Sequence, residues 1–461
     1  MGFQAVRGTA DLLPDDLARV LRVEHAARRL ARLCGYQELR TPVIEDAALF
    51  LRSVGETTDI VQKEMFRVER MSQSGGSSDQ EREPAAIALR PEGTVPVVRA
   101  YLEHNLHKTQ GFAKLFYLGP MFRAERPQAG RFRQFHQYGV EAIGSASPWV
   151  DVEVIVLCVS ILNACGVADA AVWLASMGCR NDQERSAAAL RERLAPFKET
   201  LCKECQARFE KNVFRVLDCK NPACHKIACL PAPPQNVGAA QAGATHGSPF
   251  LLCKECHAHF DAVREGLRNA GIAFDDTKVF ARGLDYYTRT VFEVRATGLG
   301  AQDAVAAGGR YDHLVEDLGG PPMGAVGFAA GIERVLLAVA PPPAASPKAN
   351  IGPPGRATGG GARCGVYLAV AQPTLLQDGF RFVQQLRERG VPAAMDYDGK
   401  SLKAQLREAD KGGARFVAIL GEAEITQRAM TLKDLEQGAQ RTVSFDVFVD
   451  EVIQQTRPLC H

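Results

Sequence analysis

The sequence predicts an α+β protein of more than one domain: a strand-and-helix body interrupted by a small helical subdomain, followed by a C-terminal α/β unit. Three observations carry this. Between Lys114 and Gly144 two alternating apolar segments flank an Arg-rich loop, the pattern of a long hairpin. Eight of the 13 cysteines crowd between Cys179 and Cys256, among short helical pieces. Beyond a Pro/Gly-rich stretch, strands alternate with helices, which gives a small unit with a mostly parallel sheet.

In chain order, apolar residues at three- and four-residue spacing predict an amphipathic helix from Leu12 to Leu33, ended by Gly35. A strand with Tyr36, Leu39, Val43 and Ile44 follows, and Pro42 within it argues for a sheet edge or a subunit boundary. The polar, Gly/Ser-rich segment Met71 to Ala86 reads as a mobile loop. After the hairpin comes a helix near Val150 to Cys165. Residues 173–275 read as the inserted cysteine-rich subdomain, broken by the Pro/Ala/Gly stretch Leu230 to Pro249. Strand character resumes over Val279 to Val294 and Gly324 to Phe328, with a helix over Ile332 to Val339.

Residues 338–362 have the composition of a tether, so a catalytic body over 1–337 and a separate unit over 363–461 are expected. In that unit, strands are predicted at Gly365 to Ala371, Pro392 to Tyr397, Arg415 to Gly421 and Thr442 to Phe445. Helices are predicted at Thr374 to Arg389 and Ser401 to Ala409. Lys400, Lys403, Arg407 and Lys411 recur at three- and four-residue spacing and would make one basic helix face.

Composition is that of a soluble globular protein, with 46% hydrophobic and 23% charged residues. No apolar run is long enough to span a bilayer and no secretory leader is present, so a cytoplasmic protein without a membrane role is expected. A formal charge of +2 neither supports nor excludes a nucleic-acid partner, because a local patch matters more than the total.

The chemistry-bearing residues sit in four segments. Arg123, Glu125, Arg126, Arg131 and Arg133 crowd the hairpin loop, where guanidinium forks suit a polyphosphate. Gln137 and Glu141 share one parity of the returning strand, so both side chains leave the sheet on one face. In Arg90-Pro-Glu-Gly-Thr94, Glu92 and Thr94 offer a carboxylate and a hydroxyl to an ammonium group, with Gly93 opening the backbone to a ligand. Tyr286 and Tyr287 face opposite sides if that segment is extended. Gly308-Gly-Arg-Tyr311 reads as a turn. Gly327 to Arg334 combines small residues, which admit a flat ring, with Arg334 for phosphate. With neither a GxxxxGK[ST] loop nor a strand-linked GxGxxG in the sequence, any ATP must be held by arginines.

Together these segments resemble class II aminoacyl-tRNA synthetases, and within them the histidyl-tRNA synthetases. FRAERPQAGRFRQFHQYGVE is similar to that class's motif 2, GFAAGIER to motif 3, and Tyr36 to Glu45 to motif 1, which builds the dimer interface. ARGLDYYTRTVFEV and GGRYD resemble the two signatures of the histidine enzymes. The resemblance implies a class II synthetase-like antiparallel sheet of six strands flanked by helices, and a C-terminal anticodon-binding α/β domain. It implies a histidine-tRNA ligase that works as a homodimer on L-histidine, ATP with Mg2+, and the tRNA for histidine.

Residue by residue, the resemblance implies that Arg123 and Arg282 are catalytic and that Arg123, Glu125 and Arg334 bind ATP. Substrate would meet Glu92, Gly93, Thr94, Arg123, Gln137, Glu141, Arg282, Tyr286 and Tyr287. Imidazole presents one donor and one acceptor, which a carboxylate and a tyrosine hydroxyl can match. A synthetase-like regulatory protein that binds histidine without catalysis is the alternative.

The clustered cysteines read as metal ligands before disulfides in a chain with no secretory leader. Cys202-x2-Cys205, Cys219-x4-Cys224 and Cys253-x2-Cys256 offer six thiolates where one tetrahedral zinc takes four. The expected quartet is Cys219, Cys224, Cys253 and Cys256, with a reduced, metal-free subdomain as the alternative.

Overall fold

The computed structural model describes residues 3–55, 58–68, 86–128, 130–167, 169–217, 219, 221–228, 250–278, 280, 284–296, 299, 303–339 and 365–456. The expected mobile loop and tether, and Arg282, lie wholly or almost wholly outside them. The chain divides into two compact units, residues 1–27 with 38–338, and residues 28–37 with 339–461.

The larger unit is built on one large sheet, with a small separate sheet of Ile44–Asp46, Ile87–Leu89 and Arg67–Val68. Six strands run in the spatial order Ala113–Phe122, Gln134–Ile143, Ala325–Gly331, Ala304–Arg310, Thr288–Ala296 and Ala170–Ser176, every neighbouring pair antiparallel. A two-residue strand at each edge brings the sheet to eight. The hairpin predicted around the Arg-rich loop is its longest pairing, in register from Ala113 opposite Ile143 to Phe122 opposite Gln134. The helix Pro148–Ala164 packs on the sheet with most of its residues buried, which explains its lack of polar periodicity. Ser147 caps it and Pro148 opens it, the residue types a helix start accepts.

Two predictions fail here. Gly308-Gly-Arg is the end of a strand, not a turn. A Cβ on Gly308 would lie 2.2 Å from the Gly327 carbonyl oxygen, so this glycine serves close strand approach. The sheet also claims Trp173 through Ser176 and Phe274–Asp275, which narrows the inserted segment to residues 177–273.

The smaller unit is also less regular than predicted. Ala393–Met395, Val366–Val370 and Phe416–Leu420 are parallel, but Ala429–Asp434 and Gln440–Ser444 add antiparallel, so the sheet is mixed. Lys400 precedes the helix Leu402–Lys411 and pairs with Glu408 at 2.6 Å, so the basic face reduces to Lys403, Arg407 and Lys411.

Candidate active site

A cavity of about 480 Å³ opens on one face of the large sheet, lined by Glu92, Thr94, Arg123, Glu125, Gln137 and Arg334 among others. Glu92 earns its place through the backbone. Its two carboxylate oxygens accept the N–H groups of Thr94 and Val95, each at 2.9 Å, and so cap the helix Thr94–Glu103. That geometry turns Thr94 Oγ1 inward, where it donates to Glu141 Oε1 at 2.7 Å. Tyr311 donates to the other Glu141 oxygen at 2.5 Å.

Glu141 is fully buried, and burial pushes its pKa up to about 8 against the lowering pull of the two hydroxyls. It lies beneath the cavity wall, with both oxygens already engaged by Thr94 and Tyr311. The expected direct carboxylate contact with substrate therefore becomes an indirect one through those hydroxyls. Opposite Glu141 in the next strand stands Gly327, where a Cβ would come 1.9 Å from Glu141 Oε2. The small residue there makes room for a protein carboxyl rather than a flat ring.

Gln137 does share Glu141's face, four residues away along the strand. It lines the cavity, and its Oε1 is buried with no hydrogen-bond partner among the described residues. Tyr286 and Tyr287 do not alternate, because Leu284–Tyr287 precedes the strand instead of belonging to it. Both rings line the same cavity with centroids 4.8 Å apart.

Of the loop residues, Arg123, Glu125 and Arg131 line the cavity, while Arg126 is exposed and Arg133 stands outside the lining. Arg123 is fixed twice, by donating to the Pro91 carbonyl at 2.9 Å and by resting over the Phe135 ring at 5.2 Å. Glu125 accepts from Arg131 at 2.7 Å. Arg334 donates to the Ala304 carbonyl at 2.7 Å, and its neighbour Glu333 holds both the backbone and the ring of His136. Burial, then nearby Arg131, lowers the pKa of Arg334, as expected where cations gather in wait of an anion.

The histidyl-tRNA synthetase family description fits residues 8–335, which carry this sheet and cavity. The chain belongs to the histidyl-tRNA synthetase family. The description of an anticodon binding domain fits residues 366–455, the smaller unit. A histidine–tRNA ligase of Desulfitobacterium hafniense is 42% identical over 98% of each chain, and one of Pelotomaculum thermopropionicum is 42% identical over 95% of each. The apo histidyl-tRNA synthetase of S. aureus shares the fold with a TM-score of 0.54 at 27% identity, covering 98% of this chain and 100% of that one.

Sequence reasoning missed Tyr311 as a site residue although the GGRYD segment pointed to it. It also missed Phe135, whose alternation with Gln134 and His136 was visible. Glu293, Arg295 and Asp303 add a third group to the lining, with Arg295 pairing both acids at 2.7 and 3.0 Å. Arg282 lies outside the described residues, and Gly93 lies beside the cavity, where a Cβ would strike the Tyr117 ring at 2.2 Å.

The expected zinc quartet is not one site. Cys219 and Cys224 gather with Cys202 and Cys205, whereas Cys253 and Cys256 gather with Cys179 and Asp182. The reason is tertiary: Cys253 caps the helix Lys254–Asn269, which packs on Pro148–Ala164, whereas Cys202 and Cys205 sit at and in the short helix Lys203–Lys211, Cys224 in Pro222–Ala228, and Cys219 in the link between them.

Proposed function

We propose that this enzyme is a histidine–tRNA ligase, activating L-histidine with ATP to histidyl-adenylate and transferring the histidyl group to the 3′ end of its tRNA. The observation that carries the reading is one cavity uniting Arg123, Arg131 and Arg334 with Gln137, Thr94 and three tyrosines above a buried carboxyl. Arg123, Arg131 and Arg334 suit a triphosphate. Gln137 offers its unpartnered oxygen to a substrate N–H, and the hydroxyls of Thr94 and Tyr311, backed by Glu141, reward a side chain with paired donor and acceptor.

In the first step the histidine carboxylate attacks the α-phosphorus and pyrophosphate leaves. The nucleophile is already ionised, so no protein base is needed, and charge stabilisation dominates. Arg123 is pre-positioned for this by Pro91 and Phe135. Arg282 is assigned the same task beside the substrate carboxylate on the strength of the family signature. Glu125, Glu293 and Asp303 are carboxylates on the cavity lining, each paired with Arg131 or Arg295, and a Mg2+ neutralising phosphate charge would take one or two of them from those arginines.

The smaller unit is read as the tRNA-anticodon module, joined by the tether at residues 338–362. A homodimer belongs to the same reading, supported by exposed Ile44 in the motif 1 segment. No helix among the described residues is long and apolar enough to cross a membrane, and a cytoplasmic enzyme is the reading we adopt.

ATP–pyrophosphate exchange with each of the twenty amino acids tests the proposal. Exchange only with histidine is expected; none with histidine would favour a silent, histidine-binding relative. Residues 1–337 alone should still make adenylate but charge tRNA poorly, with weaker and less salt-dependent tRNA binding. Undiminished charging by the shortened chain would remove the smaller unit from tRNA recognition.

A further inference from the structure

The Sγ atoms of Cys202, Cys205, Cys219 and Cys224 all lie within 4.8 Å of one another. In a zinc tetrathiolate, bonds of about 2.3 Å set the sulfurs about 3.8 Å apart. Cys202 Sγ and Cys219 Sγ stand 3.9 Å apart. Two backbone N–H groups already aim at sulfur, Cys202 N–H at Cys224 Sγ (3.2 Å) and Asn221 N–H at Cys219 Sγ (3.4 Å), an arrangement suited to thiolate charge. All four cysteines are free thiols, and three of them are buried beside Leu201, Phe209 and Val216. Four thiols facing one point in so small a core form a closed set of soft ligands.

We infer that these four residues bind one structural zinc ion, each giving up its thiol proton as the metal enters. The second group does not qualify on the same terms. The carboxylate of Asp182 is already spent on the N–H groups of Cys179 and Cys253 and on Arg185, at 3.3, 3.0 and 2.6 Å.

The metal site also reaches the cavity. Between its two cysteine pairs, Asn212 and Arg215 both donate to Asp285 Oδ1, at 3.0 and 2.9 Å. The backbone N–H of Asp285 in turn donates to the Val54 carbonyl at 3.2 Å. Tyr286 and Tyr287 follow directly and line the cavity. Zinc thus fixes the segment that holds the two tyrosines in place, and Arg215 is a positioning residue. This consequence rests on reading the cavity as the histidine site; the metal site itself does not.

The test uses full-length protein purified without chelator. Elemental analysis should find zinc, and Cys219→Ser with Cys224→Ser should lower it by about one ion per chain. Should that variant fail to fold, X-ray absorption on the unaltered protein still decides, with a sulfur shell at about 2.3 Å expected. Zinc near zero, a shell of nitrogen and oxygen alone, or equal zinc in a soluble variant overturns the site. Arg215→Ala should keep its zinc while raising the KM for histidine in pyrophosphate exchange about fivefold, with kcat changed less than about twofold. An unchanged KM would detach the metal from the cavity. Absence of exchange in the unaltered protein would count against the histidine reading and leave the zinc measurement standing.

Discussion

Two consecutive residues, Arg310 and Tyr311, complete two buried polar clusters of opposite character. Arg310 turns toward the helix Pro148–Ala164 and grips Asp151, while Tyr311 turns toward the cavity and grips Glu141. Both carboxyls are fully buried. Burial pushes Asp151 upward too, yet the charge of Arg310 and the hydrogen bonds from Arg310 and His259 outweigh it and hold this carboxyl below its ordinary pKa. Glu141 has hydroxyls and no cation, so burial wins and it rises to about 8. The same solvent exclusion thus yields a fixed charge on one side of the sheet and a proton-holding carboxyl on the other.

The difference separates structure from function. All five guanidinium N–H groups of Arg310 are used, on Asp151, Asp312 and the carbonyls of Ser145 and Ser147. His259, from the inserted segment, adds its Nε2 to Asp151 at 3.0 Å. The cluster is a joint between sheet, helix and insert, with no capacity left for a ligand. Around Glu141 the hydroxyls remain on the cavity wall, and a nearby acceptor on Gln137 is still without a partner. Incomplete satisfaction marks the side where substrate belongs.

Breaking the joint should have the largest effect. Arg310→Met strands a buried charge at Asp151 and should cost about 3–5 kcal/mol in urea unfolding. Adding Asp151→Leu should recover most of that loss, because a neutral pair of similar volume needs no partners. A cost below about 1 kcal/mol for the single change would mean that the cluster is not a joint at all.

The next effect is on chemistry rather than stability. Glu141→Gln keeps a side chain able to meet both hydroxyls but loses the carboxyl that orients them. Histidine-dependent pyrophosphate exchange should fall about a hundredfold, on the scale of one preorganised group, with unfolding free energy at pH 5, where the buried carboxyl is still protonated, altered by less than about 1 kcal/mol. Equal losses of stability and activity would erase the contrast with Asp151.

How much of this was readable from sequence follows the range of the interactions. Strand parity put Gln137 and Glu141 on one face, because alternation is local geometry. The same rule misplaced Tyr286 and Tyr287, since nothing local announces that their segment is held as a turn by Asp285, through Asn212 and Arg215 far along the chain. Gly308 was misread as punctuation when its cause is the neighbouring strand at Gly327. Cysteine pairs at two-residue spacing were visible as pairs. Which pair joins which was not, because Cys253 and Cys256 travel with a helix packed against the sheet's helical layer. Pairing partners of buried charges, Asp151 with Arg310 above all, lie 159 positions apart and leave no mark in either neighbourhood.

The pH dependence is the sharpest test of the comparison, because the two carboxyls predict slopes of opposite sign. Asp151 has its pKa lowered on folding, so its contribution is present above the ordinary value of 3.8 and is lost as pH falls. Glu141 has its pKa raised from 4.5 to about 8, so the folded protein keeps a proton that the unfolded chain releases. Between those two values stability therefore falls as pH rises, by at most about 1.4 kcal/mol per pH unit from this one proton. Above pH 8 both states are ionised and the slope vanishes. Urea midpoints measured every half unit from pH 5 to 8 should show the decline in the unaltered protein and a flatter line in Glu141→Gln. The subtraction isolates one site, since every other titrating group is common to both proteins. Parallel lines would mean that Glu141 enters the folded state already ionised, as Asp151 does, and that the cavity floor is a charge awaiting a cation instead of a proton-holding carboxyl.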